Sequence, residues 1–220
     1  MPTAVTVMLH AAPWLLQGAL MTLETSLLAI ALGLPVGIGL AVGMRSRLRA
    51  LRGFVRIYIS FARGTPLFIQ IMLVFFVLPS LGLDLPRFCA GVIALSLNSG
   101  AYIAEMIRGG LTAIPRGQIE AARALSMPRP LMWRRIILPQ VLALILPPLT
   151  IEFTALLKGS ALLAVIGIVE LTRSGQQMVA STFKPLEIWL IVGIFYFVMC
   201  YALGSLTRYL ERTTQIYRTV

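Results

Sequence analysis

Four polar side chains lie within apolar stretches of this chain and could bind a polar or charged solute there: Glu24, Glu152, Thr154 and Lys158. A charged group inside a membrane is costly, so it usually faces protein, water or a ligand rather than lipid. Thr154 and Lys158 are four residues apart and share one helix face, whereas Glu152 points elsewhere, so an ion pair along the helix is not expected. These residues are candidates for a substrate pathway, and the alternative is structural polarity at helix interfaces.

A second group of polar residues lies between residues 111 and 140, in a segment with five arginines and a single acid, Glu120. Residues 117–125 favour a helix, and we expect Glu120 in its first turn, where a carboxylate suits the positive end of the helix dipole. Alanines at positions 121, 122 and 124 keep this helix slim. A slim, short helix at a membrane surface fits a groove on another protein; an ordinary basic loop beside anionic lipid is the alternative.

The composition predicts a polytopic membrane protein. Of the 220 residues, 58% are hydrophobic and only 12% are charged, and the mean hydropathy is +0.88. A crossing needs roughly 20 apolar residues. The apolar runs therefore predict one all-α membrane domain, residues 1–220, with five transmembrane helices at about 14–43, 57–79, 88–110, 141–168 and 187–209. In the first run, Gly33 and Gly37, like Gly39 and Gly43, are four residues apart, a spacing that permits close helix approach.

The basic residues indicate topology rather than nucleic-acid binding, although the formal net charge is +11. Arginines cluster after the first span, between the third and fourth spans, and at the C-terminus through Arg212 and Arg218. This arrangement puts fourteen basic residues on one side of the membrane and three on the other. Because cytoplasmic segments are enriched in Lys and Arg, we expect the N-terminus outside and the C-terminus in the cytoplasm. Residues 169–186 then form an external, partly helical segment, either a docking surface for a soluble binding protein or a plain solvated loop.

The sequence lacks the residues that catalysis and cofactor binding need. It has no G-x-x-x-x-G-K-[ST] phosphate loop, and its only lysines are Lys158 and Lys184, so we expect no ATP site in this chain. The single histidine, His10, and the two cysteines, Cys89 and Cys200, are scattered along the chain. Neither a metal site, a disulfide nor a catalytic residue is therefore predicted.

The polar segment 111–140 resembles the EAA loop of ABC importer permeases. Glu120-Ala121-Ala122 is followed after three residues by Ser126, where the family pattern has Gly, and after nine more by Ile136-Ile137-Leu138-Pro139. Further residues resemble the branch of these permeases that imports polar amino acids (histidine, glutamine, arginine or opine type). The residues that flank the loop are Ile114–Ile119 and Gln140. The two similar stretches upstream are Phe61-Ala62-Arg63-Gly64-Thr65-Pro66-Leu67 and Ala101–Gly110. The resemblance implies a type I ABC importer permease fold (MetI-like).

The resemblance implies that the loop couples the chain to a separate ATPase, through Glu120, Ala121, Ala122, Arg123, Leu125 and Ser126. If Ser126 keeps the left-handed turn that Gly would adopt, the cost is about 1 kcal/mol. Pro128 and Pro130 follow and should hold Met127 and Arg129 in extended conformations.

The other shared motif, Arg63, Gly64, Thr65 and Pro66 with Glu105, is assigned a structural role. Pro66 removes a backbone donor and clashes with the preceding turn, so the second apolar run should kink or restart there. Glu105 has two candidate partners. It pairs either with Arg63, which lies at a similar membrane depth, or with Arg108 one turn away.

The family implies several partners: two copies of an ABC ATPase subunit that bind ATP and Mg²⁺, a second permease subunit, identical or homologous, and an external substrate-binding protein. The resemblance also implies a multi-pass protein of the bacterial inner membrane that binds neither a cofactor of its own nor nucleic acid. From the residues alone two other functions stay open. One is a passive channel or ion-coupled carrier that uses the intramembrane carboxylates, and the other is a membrane scaffold without transport.

Overall fold

The computed structural model describes residues 4–214, with side chains for residues 11–209, and in this part of the chain every regular element is helical. Arg218 and the side chain of Arg212, which entered the predicted topology, lie outside the described residues. In chain order the elements are α1 Ala4–Gly43, α2 Arg49–Gly64, α3 Leu67–Ser80, α4 Arg87–Ala113, α5 Arg116–Ala124, α6 Arg129–Met132, a π-helical turn Trp133–Ile137, α7 Leu138–Gly159, a 3-10 helix Ser160–Ile166, α8 Leu171–Thr182 and α9 Pro185–Thr214.

Four stretches of the described chain are long and apolar enough to cross a membrane: Ala11–Gly43, Arg87–Ala113, Arg129–Ile166 and Pro185–Tyr209. A fifth crossing requires that α2 and α3 count together as one broken span, since their axes differ by 118°. The 14 residues of α3 extend about 21 Å, which is less than the ~30 Å thickness of the hydrocarbon core.

The break between α2 and α3 confirms the predicted kink at Pro66. Thr65 and Pro66 are both extended, with ψ values of 148° and 138°. The proline cannot donate a backbone hydrogen bond, and its ring disfavours a helical conformation at the residue before it. α2 is amphipathic: Val55 and Ile59 are buried, whereas Arg56 is exposed. One stripe of α2 therefore packs inward, and Arg56 lies on an exposed side of the helix.

α4 lies at the centre of the fold and contacts α1, α2, α3 and α7. It packs tightly against α1 at Gly37. A Cβ atom there would lie 2.5 Å from Ile103 Cγ2 and 3.0 Å from the carbonyl oxygen of Gly100, so only glycine allows this contact. The predicted close helix approach is confirmed at Gly37. It is wrong for Gly39, where a Cβ would meet open space.

The end of the bundle opposite α5 is closed by α8, which packs between α1 and α9. Leu15 of α1, Leu171 of α8 and Ile188 of α9 have no exposed surface and share one hydrophobic cluster. The expected helix within residues 169–186 is confirmed as α8, and its inner face belongs to the core.

We expect Gly37→Ala to lower the unfolding free energy by about 1–3 kcal/mol, because the added methyl overpacks the α1–α4 contact. Gly39→Ala is the matched control on the same helix, since its methyl enters open space and should be neutral or slightly stabilising. Thermal unfolding of the purified chain in detergent measures both changes. Equal melting temperatures for the two variants would contradict the close approach.

Candidate functional site

α5 is the short helix that was expected in the polar segment. It begins after Pro115, whose fixed φ suits a helix start. It ends at Ala124, and Ser126 then adopts a φ of +55°. The amide of Met127 donates to the carbonyl of Ala122 (3.0 Å), and that of Ser126 donates to the carbonyl of Arg123 (2.9 Å). These two bonds form a Schellman motif, so Ser126 keeps the left-handed turn although it is not a glycine.

Most of the predicted coupling residues are exposed on α5 and its turn: Glu120, Ala121, Arg123, Leu125 and Ser126. Leu125 has 78% of its surface exposed. Ala122 is the exception and is buried. Glu120 is the fifth residue of α5 and does not belong to its first turn. The prediction that its carboxylate interacts with the positive end of the helix dipole is therefore wrong.

The buried side of α5 is fixed to the membrane helices. Ala122 packs in a hydrophobic cluster that includes Ile103 of α4 and continues along α7 through Val141 to Phe153. Gln140 Nε2 donates to Gln118 Oε1 at 2.7 Å and joins α7 to α5 directly. A cleft of about 470 Å³ lies beside this joint.

Arg129 is helical, so the prediction that it is extended was wrong. It is the first residue of α6, and Pro130 follows it within the first turn. A proline there needs no backbone donor, because the first amides of a helix have no partner inside it. Pro128 is extended, with a ψ of 140°, and separates α6 from the turn at Ser126.

Glu105 contacts both candidate partners. Its carboxylate lies 2.7 Å from Arg108 Nη2, one turn along α4, and 3.5 Å from Arg63 Nη1 on α2. Arg108 donates two further hydrogen bonds to it through Nε. The Arg63 guanidinium also lies over the ring of Tyr102, with its Cζ atom 5.7 Å from the ring centre. The two expected pairings thus coexist, and Arg108 is the closer partner.

The α2–α3 break is held by a glutamine whose role the sequence did not suggest. Gln70 is 7% exposed, and its Nε2 donates to the carbonyl oxygens of Ala62 (2.7 Å) and Thr65 (3.1 Å), near the end of α2. Its Oε1 accepts a hydrogen bond from Asn98 Nδ2 of α4 at 3.0 Å. The signal that could have revealed it is an amide side chain one turn after a proline in an otherwise apolar helix.

Of the four residues predicted to form a substrate pathway, only Glu152 contacts a polar group of another helix in the part of the chain that the structure describes. Glu152 is partly buried and interacts electrostatically with the hydroxyl of Ser99 on α4. That hydroxyl is fully buried and has no hydrogen-bond partner of good geometry. Thr154 bonds to the carbonyl of Thr150 in its own helix. Glu24 and Lys158 are both exposed, and no salt bridge joins Glu152 to Lys158.

Glu170 lies in the segment that was predicted to be external, either a docking surface or a solvated loop, but its side chain is completely buried. It caps α8: its carboxylate accepts hydrogen bonds from the amides of Thr172 (2.9 Å) and Arg173 (2.7 Å) and from the hydroxyl of Tyr196 on α9 (3.0 Å). Burial raises the pKa of Glu170, and these hydrogen bonds partly oppose that shift. The sequence signal was an acid directly before a helix. Its burial depends on α9, which no local pattern indicates.

No group of three His, Cys, Asp or Glu residues within the described part of the chain is arranged to hold a metal ion.

The chain matches a family model described as a binding-protein-dependent transport system inner membrane component over residues 33–216. The glutamine transport system permease protein of Escherichia coli K12 is 39% identical over 213 residues, covering 94% of this chain and 95% of that protein. The arginine transport system permease protein of Bacillus subtilis strain 168 is 39% identical over 201 residues, covering 91% and 92%.

Solved structures are similar over the same length. The crystal structure of an amino acid ABC transporter with histidines has a TM-score of 0.88 at 37% identity and covers 97% of this chain and 100% of that chain. An inward-facing structure of the MetNI methionine ABC transporter has a TM-score of 0.70 at 23% identity, and the match covers 92% of this chain and 95% of that chain. The second likeness concerns the fold alone.

Replacing Ser126 by Gly should stabilise the turn, since glycine reaches a φ of +55° without a cost of about 1 kcal/mol. We expect the amide of Met127, which closes the Schellman motif, to exchange its hydrogen up to about fivefold more slowly. Ser126→Val is the opposing control, because a β-branched residue is strained at positive φ and should speed exchange. Faster exchange in the glycine variant would contradict the described turn.

Proposed function

Because the chain belongs to the family of binding-protein-dependent transport system inner membrane components and has the all-helical, MetI-like permease fold, we propose that it is the permease subunit of an ATP-driven ABC importer for polar amino acids or their derivatives. The observation that carries this proposal is α5. This helix presents an exposed polar and apolar face at the membrane surface while its inner face is packed against α4 and α7.

Coupling would use α5 as a docking element for a separate ATPase. Leu125 is the side chain with most to gain from a partner, since 78% of its surface is exposed and an apolar anchor in a groove contributes strongly to binding. Glu120 supplies the only acidic charge of the loop. Displacement of α5 would pass through Ala122 and the joint between Gln118 and Gln140 into α7, because close-packed interiors transmit strain.

Glu152 is the residue best placed to meet the substrate. It lies on α7, about 14 residues after the helix begins, or some 21 Å along it. Its partly buried carboxylate offers a negative charge and a hydrogen-bond acceptor to a polar ligand, such as the ammonium group of an amino acid. Thr154, Lys158 and Glu24 have less support, since the first bonds to its own helix and the others are exposed.

The proposed assembly contains two ATPase subunits that bind ATP and Mg²⁺, a second permease subunit and an external binding protein. In the proposed topology the broken pair α2–α3 serves as one of five spans, with the N-terminus outside and the C-terminus in the cytoplasm of a bacterial inner membrane. The excess of arginines around α2, α5 and the end of α9 supports this orientation. α8, fixed by the buried Glu170, would then form part of the outer surface.

Glu120→Lys should reduce co-purification of the ATPase by about tenfold or more, because reversing a charge in an interface costs several kcal/mol. Asp84→Lys is the matched control: it makes the same charge change in an exposed loop at the other end of α4. ATP-dependent uptake in proteoliposomes should fall only in the first variant. Uptake that persists after ATP is withdrawn would instead favour a channel or an ion-coupled carrier.

Glu152→Gln should lower transport by about tenfold or more, since a hydrogen bond to a charged group contributes ~1.5–3 kcal/mol. Assembly and basal ATP hydrolysis should stay measurable. Thr154→Val is the matched control on the same helix and should change transport less, because the Thr154 hydroxyl already bonds to its own backbone. Failure of the Glu152 variant to assemble would assign this carboxylate a structural role.

A further inference from the structure

An apolar groove of about 390 Å³ lies between α1, α4 and the beginning of α7. Its walls include Ile38 and Val42 of α1 and Leu142 of α7, of which 53%, 66% and 52% of the surface is exposed. Arg45 is the only charged residue among those that line it, and Trp133 stands with it at the same end of the groove. The groove therefore has an apolar body and a basic, aromatic mouth.

The π-helical turn shapes this mouth. In an α-helix two residues five positions apart point about 140° away from each other, so Trp133 and Leu138 would not share a face. Here the amide of Leu138 donates to the carbonyl of Trp133, a bond that spans five residues and brings the two side chains to the same wall. The widened turn is thus what places the tryptophan at the groove.

The length of the groove matches one leaflet of a bilayer. Along α1 it runs from Leu34 to Arg45, which is roughly 16 Å of helix and about half of the ~30 Å hydrocarbon core. Arg45 lies just beyond the end of the α1 span at Gly43, at the level where phospholipid phosphates are found. Tryptophan is likewise enriched at this depth.

The charge at the mouth favours an anionic ligand. The Arg45 side chain is exposed and forms neither an ion pair nor a hydrogen bond with any side chain that the structure describes. Residues 44–56 contain five arginines and no acid. Clusters of this kind beside a membrane span attract anionic lipid headgroups.

We propose that this groove binds one acyl chain of an anionic phospholipid, with the phosphate held at Arg45. The site is separate from the residues assigned to coupling and to substrate, and it does not depend on what the protein transports.

Trp133 provides a direct readout of occupancy. The chain has three tryptophans, so the variant Trp14→Phe with Trp189→Phe leaves Trp133 as the sole fluorophore. In vesicles, the Trp133 fluorescence of the full chain should be quenched more strongly by phosphatidylglycerol with brominated acyl chains than by equally brominated phosphatidylcholine. Equal quenching by the two lipids would overturn the proposal.

Arg45→Gln should reduce the preference for the anionic lipid by about fivefold, the contribution of one arginine at an anionic surface, and Arg45→Lys should retain it. Arg47→Gln is the matched control, since Arg47 lies in the same connection but does not line the groove. An unchanged preference in Arg45→Gln would show that the phosphate is not bound there.

Filling the groove tests the acyl chain independently. Ile38→Phe should reduce quenching of Trp133 by either lipid, whereas Leu32→Phe, on an exposed part of α1 outside the groove, should not. In a background without Cys89 and Cys200, Ile38→Cys should remain monomeric on oxidation in the membrane. A disulfide-linked dimer through position 38 would identify a second copy as the occupant and overturn the proposal.

Discussion

A hydrocarbon environment offers no hydrogen-bond partner to a broken helix, and this constraint determines how the interruptions of the fold are built. Where α2 ends at Gly64, Gln70 supplies donors to two carbonyl oxygens and is itself bonded by Asn98. Where α8 begins, Glu170 accepts from two amides. At Ser126, outside the apolar spans, backbone bonds alone are sufficient. Two interruptions of the fold are thus completed by buried polar side chains.

The features that the sequence predicted depend on short-range chemistry. Pro66 lacks a backbone donor and disfavours a helical residue before it, residues 117–125 favour a helix, and Arg108 reaches Glu105 because they lie one turn apart. The features that it missed depend on neighbours distant in the chain. Glu170 is buried because α1 and α9 pack around α8, and Gln70 has a role because Pro66 leaves carbonyls open beside α4. Composition places polar residues in a helix, but packing decides which of them are buried.

One packed cluster connects the surface helix to the centre of the membrane. It begins at Ala122 under α5, passes Ile137 and Ile145, and ends at Phe153, directly beside Glu152. Interiors packed this closely move as units rather than deform. The glutamine pair between α5 and α7 adds a directional contact that a hydrophobic cluster lacks. The inner face of α5 and the middle of α7 thus belong to one packed cluster.

The bond between Gln70 and Asn98 also concerns the order in which the protein is made. The two residues are 28 positions apart in the chain, so at ~5–20 residues per second the ribosome completes Asn98 a few seconds after Gln70. The hydrogen bonds that complete the broken helix pair therefore depend on a segment that is synthesised after the pair itself.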